Sequence, residues 1–150
     1  MVLGYNSPVG TISIEGEDGV LTKVVFSCPS SVSFDFPSSF KDVRLWLDLY
    51  FSGHEPGFVP KHIITCTPFE KMVYDILMTI PYGHVITYGE IARKISSLMS
   101  PQAVGGALGR NPLPLIIPCH RVVASNGKIG GFSAGVDIKR KLLSLEGMIR

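Results

Sequence analysis

Between Thr67 and Pro101 the chain writes three helix starts in quick succession, and they leave room only for short helices. Thr67-Pro68-Phe69-Glu70 places a hydroxyl cap, a proline at the first helical position and a glutamate three residues after the cap. Thr87-Tyr88-Gly89-Glu90 repeats the hydroxyl-to-glutamate spacing, and Ser100-Pro101 again pairs a cap with a proline. The stops are equally clear. Pro81-Tyr82-Gly83 ends the first helix near Thr79, and Asn111-Pro112 ends the third, which starts at Gln102 and reaches Arg110. The second helix carries Ile91, Ala92 and Ile95, and the third is rich in small residues. Two short helices joined by a tight turn fit either a helix-turn-helix or an ordinary helical hairpin.

The residues before Thr67 read differently. Thr11-Ile12-Ser13-Ile14-Glu15 alternates, Glu17-Asp18-Gly19 marks a turn, and Leu21 to Phe26 resumes as a strand, which predicts a hairpin. Pro29 to Ser39 is a Ser- and Pro-rich loop. From Phe40 the residues Val43, Leu45, Trp46, Leu49 and Tyr50 recur at helical spacing until Gly53, and Gly53 to Pro60 reads as a linker. The expected class is therefore α/β (α+β), with an N-terminal α/β lobe over 1–60 and a second lobe over 61–150. Late in the chain, Leu115-Ile116-Ile117 reads as a buried strand or extended segment. Val122 to Ala124 leads into an Asn126-Gly127 turn, and Gly130 to Gly135 is a flexible loop. Asp137 is the expected cap of a last helix that turns Ile138, Leu142, Leu143 and Leu145 inward and ends at Gly147.

With 45% hydrophobic residues in 150, the chain supports one sizeable core or two small lobes. Its 17% charged residues exclude a disordered chain, and its apolar runs are too short and interrupted for a membrane span. Met1 to Asn6 shows no basic region followed by an apolar stretch, so we expect no signal peptide and a cytoplasmic location. Cys28, Cys66 and Cys119 are an odd number without metal-ligand spacing, which argues for free thiols, no disulfide framework and no metal. Residues 1–67 carry four basic and seven acidic side chains, a net of −3; residues 68–150 carry ten basic and five acidic, a net of +5. The second lobe is the one suited to a polyanion.

Pro118-Cys119-His120-Arg121 is the focal motif. A thiol beside an imidazole is the pairing that makes a thiolate near neutral pH. Adjacent side chains on an extended chain point to opposite faces, so the pair works only if the backbone turns, and Pro118 makes a turn plausible. On residues alone, Cys119 stands open between a reactive thiol and a buried structural one.

Ile117-Pro118-Cys119-His120-Arg121-Val122-Val123 resembles the active-site signature of the O6-alkylguanine-DNA alkyltransferases, also called methylated-DNA–protein-cysteine methyltransferases. Pro81-Tyr82-Gly83, Thr87 to Ala92, Ala103-Val104-Gly105-Gly106-Ala107, Asn111-Pro112-Leu113-Pro114, Gly130-Gly131-Phe132-Ser133 and Leu142 to Gly147 fall in the family's order and spacing. Asn6-Ser7-Pro8-Val9-Gly10 is similar to its N-terminal start. The resemblance covers residues 68–150 strongly and 1–67 loosely. It implies an RNase H-like N-terminal lobe packed on a mainly helical lobe with a winged helix-turn-helix. It implies irreversible, stoichiometric transfer of an alkyl group from O6-alkylguanine in DNA, with O4-methylthymine as a second candidate substrate, by a monomer that needs no cofactor. Cys119 is then the acceptor, His120 its general base through a water, and Glu146 the acid that orients His120. Asn111 buttresses the site, and Tyr88 rotates the nucleotide out and protonates the leaving purine. Gln102, Ala103, Gly105, Gly106, Arg110, Arg121 and Lys128 are the expected contacts to the minor groove of double-stranded DNA. Val122, Phe132, Ser133 and Ala134 are the expected pocket.

Two departures stand out. Gln102 occupies the place of an arginine that fills the gap left by the flipped base, which predicts weaker or slower flipping. Phe132 replaces a usual tyrosine and Ala134 a common glycine, and the added methyl group predicts poor reaction with bulky benzyl-type adducts. A damage-binding relative without transfer activity would lack the acceptor cysteine, which is present here. A cysteine hydrolase would need an oxyanion hole and a substrate cleft, and a transcriptional regulator would need long polar side chains where Ala103 to Ala107 has none.

Overall fold

The computed structural model describes Met1–Met148, and the chain divides into two compact units at Ile64/Thr65. The first holds a three-stranded antiparallel sheet, β1 (Val2–Ser7), β2 (Gly10–Glu17) and β3 (Val20–Val25), in that order. The β2–β3 connection is Asp18-Gly19, both at positive φ (51° and 80°), the two-residue turn whose twist matches its strands. β1 is invisible to an alternation rule because Leu3, Gly4 and Tyr5 are all buried in succession. Gly4 is buried because a Cβ there would come within 2.8 Å of the Phe34 ring.

Both sheet edges are covered. Ser33 bridges Leu3 on one side, and Leu21 exchanges backbone bonds with Lys61 and Ile63 on the other, each at 2.9 Å. That pairing keeps residues 61–63 with the first unit. Helix α1 (Lys41–Phe51) buries Val43, Trp46, Leu47 and Tyr50. Leu45, expected on this face, is 49% exposed, and Leu47 takes its place.

The second unit contains α2 (Pro68–Leu77), α3 (Tyr88–Ile95), α4 (Pro101–Gly109) and α5 (Val136–Leu145). The three predicted hydroxyl caps form. Thr67 and Glu70 exchange both bonds of a capping box at 3.1 and 3.0 Å, Thr87 accepts from the Glu90 N–H, and Ser100 from the Ala103 N–H. Asp137 does not cap α5: the cap is Gly135 at φ 109°, and the helix starts two residues earlier than a cap at Asp137 would give. The Tyr74 hydroxyl donates to the Ala107 carbonyl at 2.8 Å, and Arg110 pairs with Glu70, so α2 holds α4 at both points. Two residues of β4 (Ile86–Thr87) pair in parallel with β5 (Val122–Val123). They bring the start of α3 beside the chain that leaves the Cys119 motif. Among the described residues no helix is long and apolar enough to cross a membrane.

Candidate active site

The segment from Asn111 to Arg121 is a built turn, not the strand or extended segment expected at Leu115-Ile116-Ile117. Those three residues are buried, but no strand partner serves them. The Asn111 side chain does so instead: its Oδ1 accepts the Leu113 N–H at 3.0 Å and its Nδ2 donates to the Ile117 carbonyl at 2.9 Å. Leu115 is held at φ 77°, a left-handed conformation that a bulky residue keeps only when its surroundings impose it. Pro118, at φ −79° and ψ 65°, forms an inverse γ-turn closed by the Cys119 N–H on the Ile117 carbonyl at 2.7 Å. Cys119, His120 and Arg121 follow as one turn of 3₁₀ helix, all buried. The backbone therefore turns at the thiol–imidazole pair instead of running extended.

Glu146, at the end of α5, joins three parts of the unit. His120 Nε2 donates to it at 2.6 Å, Arg121 Nε at 2.8 Å and the Gly83 N–H at 3.1 Å. Burial pushes the Glu146 carboxyl up, but the bonds and charges of His120 and Arg121 more than reverse this and bring it down to about 2. It is therefore ionised and acts as acceptor. The neutral imidazole then carries its proton on Nε2, and Nδ1 is the nitrogen that takes up another. Burial holds His120 below its ordinary value, helped by the positive charges of Arg121 and Lys139, so it is neutral at physiological pH. Burial likewise pushes the Cys119 thiol up to about 11, against the opposing influence of Asn111 and Lys139. The resting site thus holds a thiol beside a neutral base, and a thiolate forms only as its proton leaves.

Cys119 faces a cavity of about 310 Å³, lined also by Tyr88, Gly105, Leu108, Gly109, Gly131, Phe132 and Ser133. That volume is at the small end of ligand sites, which run from roughly 300 to 1,000 Å³. Tyr88, the first residue of α3, reaches the Gly131 carbonyl with its hydroxyl at 3.4 Å. Burial raises its pKa, so the phenol keeps its proton at neutral pH. The ring packs on Gly130, where a Cβ would lie 2.9 Å from the Tyr88 oxygen. Val122 and Ala134, expected in the pocket, do not line this cavity. Val122 is wholly buried and contributes only its carbonyl, which accepts from Lys139.

Residues 68–148 match the family model described as the DNA-binding domain of 6-O-methylguanine DNA methyltransferase. A Methanosarcina acetivorans methylated-DNA–protein-cysteine methyltransferase is 39% identical over 150 residues, covering 95% of this chain and 96% of the relative. One from Saccharolobus solfataricus is 44% identical over 145 residues, covering 96% and 93%. The chain belongs to this family. Its fold agrees: Mycobacterium tuberculosis OGT in complex with DNA superposes with a TM-score of 0.85 at 34% identity, covering 97% of this chain and 92% of that one. An O6-methylguanine DNA methyltransferase from Methanococcus jannaschii gives a TM-score of 0.70 at 34% identity, covering 100% and 95%.

In this member of the methyltransferase family the expected DNA contacts separate. Gln102 is exposed, and with Tyr88, Arg93, Gly105 and Ser125 it borders a second, open cavity of about 490 Å³. Ala103, Gly105 and Gly106 are half-buried on α4, and Lys128 is exposed on the turn after β5. Arg110 is exposed but pairs with Glu70. Arg121, expected among these contacts, is instead committed inside the site. It is 9% exposed, and its guanidinium is occupied by Glu146 and by the Ile80 carbonyl at 2.8 Å.

Sequence reasoning missed Lys139, which is wholly buried. The signal was available: Lys139, Leu142, Leu143 and Glu146 fall at i, i+3, i+4 and i+7, one face of α5. The face was drawn from Ile138, which is only half-buried.

Proposed function

We propose that this protein repairs DNA by moving the alkyl group of an O6-alkylguanine onto Cys119, irreversibly and once per molecule. The observation that carries the reading is the Cys119 thiol on the wall of a base-sized cavity, backed by the buried His120–Glu146–Arg121 chain. The cavity can admit one purine only if the nucleotide leaves the duplex, which costs a few kcal/mol and is easier for a weakened alkylated pair. Small residues on α4 favour a close approach to the minor groove, and the net charge of residues 68–150 favours DNA.

In the transfer, the Cys119 sulfur attacks the alkyl carbon while the bond from that carbon to O6 breaks. The thiol proton passes to His120, whose new charge Glu146 offsets. The departing guanine is a poor leaving group as an anion, and Tyr88 lends it a proton. That proton is replaced from the His120 imidazolium, so the thiol proton ends on the guanine and the alkyl group on sulfur. The thioether has no leaving group to spare, which makes one event per molecule the natural limit.

Cys119→Ser is expected to leave O6-methylguanine in duplex DNA untouched, while the native chain returns guanine. Nucleoside chromatography of the digested DNA measures this. Loss of the lesion with the serine variant, or its persistence with both, rejects the proposal. Gln102→Arg is expected to tighten binding to lesion-containing DNA and speed transfer by about fivefold. A new cation stacking against bases contributes about 1 kcal/mol. Unchanged affinity and rate would show that Gln102 is no handicap.

A further inference from the structure

The buried lysine on α5 has no part in the chemistry described so far. Lys139 Nζ donates to the Val122 carbonyl at 2.5 Å and to the Gly131 carbonyl at 3.0 Å. It stands 5.8 Å from the centre of the Tyr88 ring. Val122 follows the Cys119 turn, Gly131 lines the Cys119 cavity, and Tyr88 forms another part of its wall. One ammonium group thus ties the segment leaving the nucleophile to the loop that closes the pocket.

A buried cation favours an anion, and the Glu146 carboxylate of this site is already committed. Glu146 takes bonds from Arg121 and from His120, so its charge is matched by the guanidinium. The titratable groups whose environment registers Lys139 are Cys119 and His120, and Tyr88 lies under its charge. Of these, Cys119 must carry negative charge for the attack itself, whereas Tyr88 gives up its proton only as the guanine departs and regains one from His120.

On the reading proposed above, we infer that Lys139 is the counter-charge for the Cys119 thiolate as it forms, and the positioning residue that holds the pocket loop against it. The site then holds two anions and three cations in the transition state. Glu146 lies between Arg121 and the developing imidazolium, and Lys139 is set against the sulfur. When the alkyl group has arrived, sulfur is neutral and the ammonium is left without its counterpart.

Charge and tether can be separated by pH. Burial brings Lys139 down to about 8. Above that value the side chain loses its charge but keeps two N–H groups, enough for both carbonyls. His120 is neutral throughout this range, so proton transfer to it does not depend on hydroxide. Methyl transfer is therefore expected to be level up to about pH 8 and to fall above it, whereas an unassisted thiol reacts faster as pH rises.

The test is single-turnover methyl transfer from O6-methylguanine DNA between pH 6.5 and 9.5, for the native protein and for Lys139→Met, each with its DNA affinity. Iodoacetamide labelling of Cys119, followed on its own peptide, gives the same comparison without DNA. The expected result is a rate lowered roughly tenfold in Lys139→Met, one unit of lost thiolate stabilisation, with the fall above pH 8 abolished and DNA affinity kept. A methionine variant with the native rate and profile overturns the inference. So does a native rate that climbs through pH 9, and that outcome decides the matter even if the variant does not fold. A native chain that takes no methyl from DNA rejects the functional reading instead, and the labelling profile still judges Lys139.

Discussion

Glu146→Gln is expected to destabilise the protein by about 3 kcal/mol or more and to cut methyl transfer at least about a hundredfold. The native carboxylate accepts from His120 Nε2, from Arg121 Nε and Nη2, and from the Gly83 N–H. A carboxamide has one acceptor oxygen and offers N–H groups where at least one of these donors points. Arg121 is left as a buried cation without its anion, and removing one partner of such a pair costs roughly 3–5 kcal/mol. The chemical loss has a separate origin. Without an anion at Nε2, His120 is neither fixed in the tautomer that presents Nδ1 nor compensated when protonated. Orienting acids of this kind contribute factors of about 10² to 10⁴. Denaturant unfolding and single-turnover transfer measure the two effects. Native stability together with native transfer would remove Glu146 from the centre of the site.

Gly130→Ala is expected to slow transfer by about tenfold to a hundredfold while leaving a folded protein. Gly130 sits at φ 77°, where an L-residue costs roughly 1–2 kcal/mol. Its new methyl carbon would also lie 2.9 Å from the Tyr88 oxygen and 3.1 Å from its Cε2, so the ring must move. That ring is the proposed proton donor and part of the cavity wall. Gly127→Ala separates the two costs. It has a similar φ, 81°, but nothing within 4 Å of the added carbon, so it should lose stability and retain the transfer rate. Equal transfer rates for the two variants would contradict the role given to Tyr88.

The elements legible in the sequence were those set by local chemistry. Thr67, Thr87 and Ser100 cap their helices because a hydroxyl beside an orphan N–H is a local matter, and Asp18-Gly19 turns for the same reason. What escaped was set by distant partners. β1 has no alternation because Phe34 and Val32 cover Gly4. Leu115 to Ile117 lies in a turn because one side chain, Asn111, bonds both Leu113 and Ile117. Arg121 looked like a cation for DNA until Glu146 and Ile80 were seen to claim it. Lys139 was passed over because a lysine on an apolar face is usually drawn to the surface, and only the three-dimensional arrangement brings two carbonyls to it. Cys119 and His120 stood out as a thiol–imidazole pair, while their roles and that of Glu146 came from family resemblance. The buried contact between His120 and Glu146 depends on the inverse γ-turn at Pro118, which the sequence only suggested.

The central claim is that Cys119 keeps what it removes. The protein should be incubated with an excess of duplex DNA containing O6-methylguanine, and the peptide that carries Cys119 weighed as the reaction proceeds. One methyl group should appear on that peptide, on no other cysteine peptide, and lesion loss should stop at one equivalent per protein. Continued repair beyond one equivalent, or repaired DNA with an unmodified Cys119, would contradict the account.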